Sequence, residues 1–319
     1  SIQKVSINIK EVIDTNLVKD IHPGRTGSNP KDLTSFTEKL LFSADDGKKG
    51  DELWQSEGTK KTTSLIKDIN PGKGGSTPSG FSLFKKELYF AADDGSTGLE
   101  LWKTNGTRQK TQLVADIRNG SKSSSPQNLV NLDQVLLFSA NDGIHGAEIW
   151  RISNDKEEAK LVRDIHPDTG SQPQELTVFK RRIFFAAEGP LYGRELWVTD
   201  GTSKGTTLAI DINPGGFNGN PRDLTVFKNN LYFTAETYTE GRHLWVSDGT
   251  RGGTSKISYP ISSDQFVNPR NLYANDENLF FSADTTVLSS KSPQAQSKDR
   301  PIKYNKIASG RERNTENIN

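Results

Sequence analysis

Apolar and polar positions along the chain alternate in short runs, and Gly, Pro, Asn and Asp fence each run off from the next. The stretch from 175 to 212 shows the pattern at its plainest. ELTVF (175–179), RIFFAAE (182–188), ELWVTD (195–200) and TTLAIDI (206–212) are runs of strand length with turn residues between them. Alternation rich in β-branched and aromatic residues predicts β-strands, and Asp-Gly, Asn-Gly and Pro-Gly pairs predict tight turns between them. Helix signals are nearly absent.

The same four-run unit recurs. Trp54, Trp102, Trp150, Trp197 and Trp245 are spaced by 48, 48, 47 and 48 residues. Phe42, Phe90, Phe138, Phe185, Phe233 and Phe281 keep that phase, as do Pro30, Pro78, Pro126, Pro173, Pro221 and Pro269. Six units are therefore present, the sixth without its Trp. A four-stranded sheet cannot bury both faces alone, whereas sheets stacked radially around an axis cover one another. The expected fold is all-β, a six-bladed β-propeller of four-stranded blades. After Phe281 no ELW-like run follows, so the last blade is expected to hold two strands of its own, near Asn271–Tyr273 and Asn278–Asp284. Asn16–Ile21 matches an outermost strand, and Val5–Ile9 lies one period before Leu53–Glu57. These N-terminal strands are expected to complete the last blade and close the ring, leaving no unpaired sheet edge. The propeller is then residues 1–284, and residues 285–319 form a polar, basic, extended tail.

ELWQSEGT (52–59), ELWKTNGT (100–107), ELWVTDGT (195–202) and HLWVSDGT (243–250) together resemble the bacterial ELWxxDGT repeat family, over about residues 16–284. The third unit departs from the motif as EIWRISNDK (148–156). What the resemblance implies is membership of large exported bacterial proteins, most of them without an assigned chemistry.

Composition narrows the classes of partner. The 319 residues carry 41 Lys+Arg against 40 Asp+Glu, so no strong field recruits nucleic acid or an anionic membrane. No apolar run approaches the roughly 20 residues that cross a bilayer, so membrane insertion is not expected. Cys is absent, which removes disulfides, thiolate metal sites and Cys nucleophiles. Met is absent too, and the chain begins at Ser1. Removal of an N-terminal segment and export follow as expectations, since a chain without oxidisable sulfur suits an oxidising exterior. The expected location is secreted, periplasmic or cell-surface; an arbitrary chain boundary is the competing explanation. In the tail, Lys291, Lys298, Arg300, Lys303, Lys306, Arg311 and Arg313 outnumber Asp299, Glu312 and Glu316. It is expected to dock on an acidic surface of a neighbouring subunit or partner through Ile302, Tyr304 and Ile307, with wrapping around its own propeller as the alternative.

The repeated residues read first as architecture. One Trp per unit suits a wedge between blades better than a ligand platform. Asp20, Asp68, Asp116, Asp164 and Asp211 stand before Pro/Gly turns, where Asp accepts backbone N–H bonds. The loops ADDGKKGDE (44–52), ADDGSTGLE (92–100) and NDGIHGAE (141–148) offer clustered oxygens. Asp45, Asp46, Glu52, Asp93, Asp94, Glu100, Asp142 and Glu148 are thus candidate ligands for calcium, which takes six to eight oxygens. Turn formation is the competing reading. Units four and five break the pattern with AEGPLYGRE (187–195) and AETYTEGRH (235–243). Glu188, Tyr192, Arg194, Tyr238, Glu240 and Arg242 are therefore the candidate ligand-binding residues. His22, His145, His166 and His243 are scattered, and no nucleophile elbow, phosphate loop or HExxH motif occurs. The expected function is an exported, non-enzymatic binding or assembly module that needs no cofactor and presents a Gly/Asp/Asn-rich loop face to a protein or glycan. The alternative is an enzyme acting on polysaccharide through two carboxylates at the channel mouth.

Overall fold

The structure, a computed structural model, describes residues 16–153, 158–258, 264–287 and 300–304. All of the described regular structure is β, apart from one 3-10 turn at Arg108–Lys110. The first sheet holds β1 (Lys31–Phe36), β2 (Lys39–Asp45), β3 (Asp51–Ser56) and β4 (Ser64–Lys67); the second holds β5 (Ser79–Phe84), β6 (Glu87–Asp93), β7 (Leu99–Thr104) and β8 (Gln112–Ala115). The third contains β9 (Gln127–Leu132), β10 (Val135–Asn141), β11 (Ala147–Ser153) and β12 (Ala159–Arg163). The fourth contains β13 (Gln174–Phe179), β14 (Arg182–Gly189), β15 (Gly193–Thr199) and β16 (Thr207–Ile210). β17 (Arg222–Phe227), β18 (Asn230–Thr237), β19 (Gly241–Ser247) and β20 (Thr254–Lys256) make the fifth. β21 (Asp264–Ala274), β22 (Leu279–Val287) and β23 (Arg300–Tyr304) make the sixth. Every sheet is an antiparallel meander in chain order, so the runs read from the sequence at 175–212 fall on β13 to β16.

The sixth sheet differs from expectation. Its third strand is β23, with Ile302 opposite Phe281 just as Trp54 stands opposite Phe42 in the first sheet. A segment whose composition suggested a separate tail thus pairs with this chain's own β22, and Arg300–Tyr304 takes the position expected for Val5–Ile9. Pro301 lacks an N–H and fits a strand with one unpaired side. Val5–Ile9, Ile307 and the rest of the tail lie outside the described residues. Asn16–Ile21, expected as an outer strand, carries no strand pairing, although Lys19 Nζ donates to the carbonyl of Thr63 at 2.6 Å.

The first strands of successive sheets lie side by side, from β1 through β5, β9, β13 and β17 to β21. Between sheets the core is continuous. Leu41, Leu53 and Ile66 of the first sheet pack with Leu88, Phe90 and Trp102 of the second, and Leu196 and Ile212 pack in the same way with Phe233 and Trp245. Trp102, Trp150, Trp197 and Trp245 are each wedged against the preceding sheet, Trp54 packs with Ile21 and its own sheet, and all five are buried. That burial answers the choice between platform and wedge: a residue of about this area contributes more by filling the seam than by waiting for a ligand. Basic side chains lace some seams. Lys67 Nζ donates to the Thr111 carbonyl at 2.6 Å while lying 5.3 Å above the Trp102 ring, and Arg163 Nη1 donates to the Thr206 carbonyl at 2.5 Å.

Candidate functional site

The Glu of each ELW run organises the connection to the next sheet. Glu52 accepts the N–H of Ile69 at 2.8 Å and of Asn70 at 3.1 Å, and the Ser76 hydroxyl at 2.6 Å. Glu100 accepts from Ile117 N, Ser124 N and Ser124 Oγ, at 2.9, 2.7 and 2.5 Å. Glu148 does the same with His166 N, Ser171 N and Ser171 Oγ, at 3.0, 2.9 and 2.6 Å. Glu195 accepts from Ile212 N, Asn213 N and Gly219 N, at 2.8, 3.3 and 2.7 Å. All four carboxyls are completely buried. Burial pushes each upward, and the donors hold it back. Glu195 rises to about 7. Gly219 stands there in place of the serine that supplies a hydroxyl at the other three seams.

This arrangement separates the candidate calcium ligands into two layers. Glu52, Glu100 and Glu148 lie beneath the loops with their oxygens engaged, and do not join the Asp residues above them. Asp45 caps Gly47 N at 2.7 Å, Asp46 caps Lys48 N and Lys49 N, and Asp93 caps Gly95 N at 2.7 Å. Asp94 caps Ser96 N and Thr97 N; Asp142 caps Ile144 N and His145 N and meets His145 Nδ1 at 2.7 Å. These are the bonds of Asx turns. Among the described residues no three His, Cys, Asp or Glu side chains come together in a way that could hold a metal ion. The outer-strand Asp series behaves unevenly. Asp116 accepts the N–H of Gly120 at 3.3 Å as expected, whereas Asp68 pairs with Lys49. Asp68, Asp116, Asp164 and Asp211 each keep one buried oxygen without a hydrogen-bond partner.

Loops between second and third strands do share a face with the connections between sheets. Asp93 N donates to Ser76 O, Asn141 N to Ser124 O, Glu188 N to Ser171 O and Glu236 N to Gly219 O, all within 3.0 Å. On this face the fourth and fifth units are distinct. Arg194 turns inward, donating to Gln172 O at 2.9 Å and Gln174 Oε1 at 3.1 Å; Arg242, one period later, donates to Asn220 O at 3.0 Å and Thr234 Oγ1 at 3.1 Å. Both arginines brace the inner strands, and their desolvated position lowers their pKa values. Glu188 lies near Arg194, and Tyr192 is exposed.

Tyr238 and Glu240 stand apart from those four, because they line a cleft of about 480 Å³ at the seam between the fourth and fifth sheets. The connection after β16 supplies Asn213 and Phe217, the β18–β19 loop supplies Thr237 to Glu240, and Trp245 and Lys256 complete the wall. Asn213 fixes the geometry: its Oδ1 accepts Tyr238 N at 3.0 Å, and its Nδ2 donates to Asn218 O at 3.0 Å. Phe217 and Tyr238 stack with ring centroids 5.1 Å apart and planes at 26°, at 49 % and 78 % exposure. Lys256 Nζ pairs with Glu240, which holds that carboxyl below its usual range. Trp245 Nε1 and Thr237 Oγ1 are buried and have no hydrogen-bond partner. Phe217 carried a readable signal: NPGGFNGNP (213–221) is the one intersheet connection of its kind with a phenyl ring, against HPGRTGSNP (22–30) and NPGKGGSTP (70–78). Thr237 and Trp245 carried none, since their place at the cleft depends on how two sheets meet.

No family model and no curated protein matches the chain. Among solved structures it is similar to a prolyl endopeptidase at 8 % identity and TM-score 0.41, over 85 % of this chain and 50 % of that one. It is similar to puromycin hydrolase at 12 % identity and TM-score 0.46, and to a mutant of that hydrolase in complex at 13 % and 0.47, each over 80 % of this chain and 42 % of the other. The chain spans half or less of the length of these three proteins.

Proposed function

We propose that the chain is an exported six-bladed β-propeller that works as a binding module, with its ligand held in the cleft between the fourth and fifth blades. The observation that carries this reading is the cleft itself. It joins a loop that breaks the repeat to a connection set apart by Phe217, and gathers exposed aromatic rings beside unpartnered polar atoms, as small-ligand sites do. Elsewhere on the loop face the carboxylates are spent on turns and seams, which leaves them committed to architecture.

Closure of the ring would cover two edge residues. Leu33 is 57 % exposed although its equivalents Phe81, Leu129, Leu176, Leu224 and Leu272 are buried or half-buried, and Tyr273 is 66 % exposed although Thr34, Ser82, Val130, Thr177 and Thr225 are half-buried. These are the positions through which one blade touches the next, as where Thr177 Oγ1 donates to Leu224 O. Bringing the sixth blade against the first would cover both. Export is supported by the absence of Cys and Met.

A screen of glycans, peptides and small metabolites against the full chain and a Tyr238→Ala variant tests the binding reading, with thermal shift as the readout. The expected result is at least one compound that raises the melting temperature of the parent and not of the variant. Ligands that stabilise both proteins equally would overturn it, as would turnover of a substrate that is indifferent to Tyr238.

A further inference from the structure

We infer that the cleft between β16 and β19 takes a neutral sugar ring, stacked on Phe217 and Tyr238 and hydrogen-bonded by Trp245, Thr237 and Glu240. This rests on the binding reading above and adds the ligand class. Four observations converge on it.

Two aromatic side chains from different loops face water as a stacked pair, one of them more than three-quarters exposed. The electron-rich face of such a ring attracts the weakly positive C–H bonds on the flat side of a pyranose and disfavours an anion. Among the residues lining the cleft are two with buried orphaned groups of different character, the Trp245 N–H donor and the Thr237 hydroxyl. A sugar hydroxyl donates and accepts at once, so neighbouring hydroxyls on one ring can satisfy both.

The other four indoles also have unpartnered Nε1 atoms, and two of their seams differ. At two of them a lysine covers the ring, Lys19 over Trp54 and Lys67 over Trp102, whereas Ile210 stands at the matching position before Trp245. The charge at the rim is balanced. Glu240 is ionised beside Lys256, with His243 Nε2 at 3.8 Å, so the cleft presents a carboxylate able to accept from vicinal hydroxyls without a net field to draw in an ion. The volume of about 480 Å³ lies inside the range of about 300–1,000 Å³ typical of small-ligand pockets. A short stretch of glycan fits that space.

The test is a glycan array probed with the full chain, with neutral glucans, mannans and galactans set against uronate-bearing and sulfated glycans and against a random peptide array. Affinities for hits follow from calorimetry. At least one neutral glycan should bind the parent, and Tyr238→Ala or Phe217→Ala should weaken it by about tenfold. Thr237→Val, which keeps the shape and removes the hydroxyl, should weaken it several-fold. Both aromatic positions face solvent, so the melting temperatures of these variants should match the parent. If only peptides or charged glycans bind in a Tyr238-dependent way, the sugar assignment fails and the binding module stands. If neutral glycans bind the parent and all three variants alike, the cleft is not their site and the assignment fails. If nothing tested binds in a Tyr238-dependent way, both readings fall together.

Discussion

A single exchange of serine for glycine changes what a buried carboxylate experiences. Ser76, Ser124 and Ser171 each put a hydroxyl on the Glu of their seam, and at the fourth seam Gly219 offers only its N–H to Glu195. With no hydroxyl among its donors and Asp211 nearby, burial lifts Glu195 from its ordinary 4.5 to about 7. The folded protein therefore holds this proton over a pH range where the unfolded chain has released it. The stabilisation is fully present below pH 4.5 and is lost as pH rises through about 7; a shift of this size corresponds to about 3 kcal/mol. Urea denaturation of the parent at about pH 5 and about pH 8 should show that fall. Glu195→Gln, which cannot titrate, should show a shallower one. Equal pH dependence in the two proteins would rule the mechanism out. At a seam with its serine, Glu148→Gln should cost about 2–4 kcal/mol at neutral pH, because an amide NH₂ would then face N–H and O–H groups that need an acceptor. Glu52, Glu100 and Glu148 were visible in the sequence as residues next to Asp-Gly loops, which is why they looked like oxygen ligands. Residue type and spacing do not say on which side of the loop a carboxylate lies.

At the scale of the strand and its turns, the seams explain why the repeat tolerates so little variation. Trp102 is 5 % exposed, wedged between Ile66 and Ile69 of one sheet and Phe90 of its own, with Lys67 bridging above it. Trp102→Ala should cost about 3–5 kcal/mol, as large aromatic truncations in cores do. Preserved stability would return the Trp residues to the role of ligand platforms. Backbones also approach closely at the loop face. A Cβ on Gly146 would sit 2.6 Å from Thr169 O and 2.7 Å from the Cα of Gly170, and its φ is +71°. A Cβ on Gly58, at φ +86°, would meet nothing within 4 Å. Gly58→Ala should therefore cost about 1–2 kcal/mol, the left-handed backbone alone, and Gly146→Ala distinctly more, because the chain it touches cannot move aside. The difference between the two melting curves measures the close approach itself. Most of this scale was legible: alternation gave the strands, and Asp-Gly and Asn-Gly gave the turns. β23 was not, since RPIKY (300–304) is short, contains Pro301 and lies in a polar segment. Its pairing with β22 comes from an edge that needed a partner, not from its own pattern.

For the molecule as a whole, the period of 47 to 48 residues announced repeated sheets, but a period carries no information about how the first and last repeats meet. That information lies in the two edge residues. If the sixth sheet closes on the first as β13 closes on β17, Tyr273 will stand to Leu33 as Thr177 stands to Leu224, where the Thr177 hydroxyl reaches the Leu224 carbonyl at 3.4 Å. The chain has no cysteine of its own, so an engineered pair can report on this without competition. Leu33→Cys combined with Tyr273→Cys should form an intramolecular disulfide under mild oxidation, since disulfides require Cα atoms within about 7 Å. Thr177→Cys with Leu224→Cys is the matching control at a seam already in contact. The crosslink would close a loop of about three-quarters of the chain, and by loop-entropy arguments a closure of that length stabilises by about 5–6 kcal/mol at most. A closed ring should give a disulfide at both pairs in the monomer, with a higher melting temperature for the terminal pair that reverts on reduction. A control pair that oxidises beside a terminal pair that stays reduced, or that links only between molecules, would mean the six sheets form an open arc. Leu33 and Tyr273 would then be edges awaiting another chain.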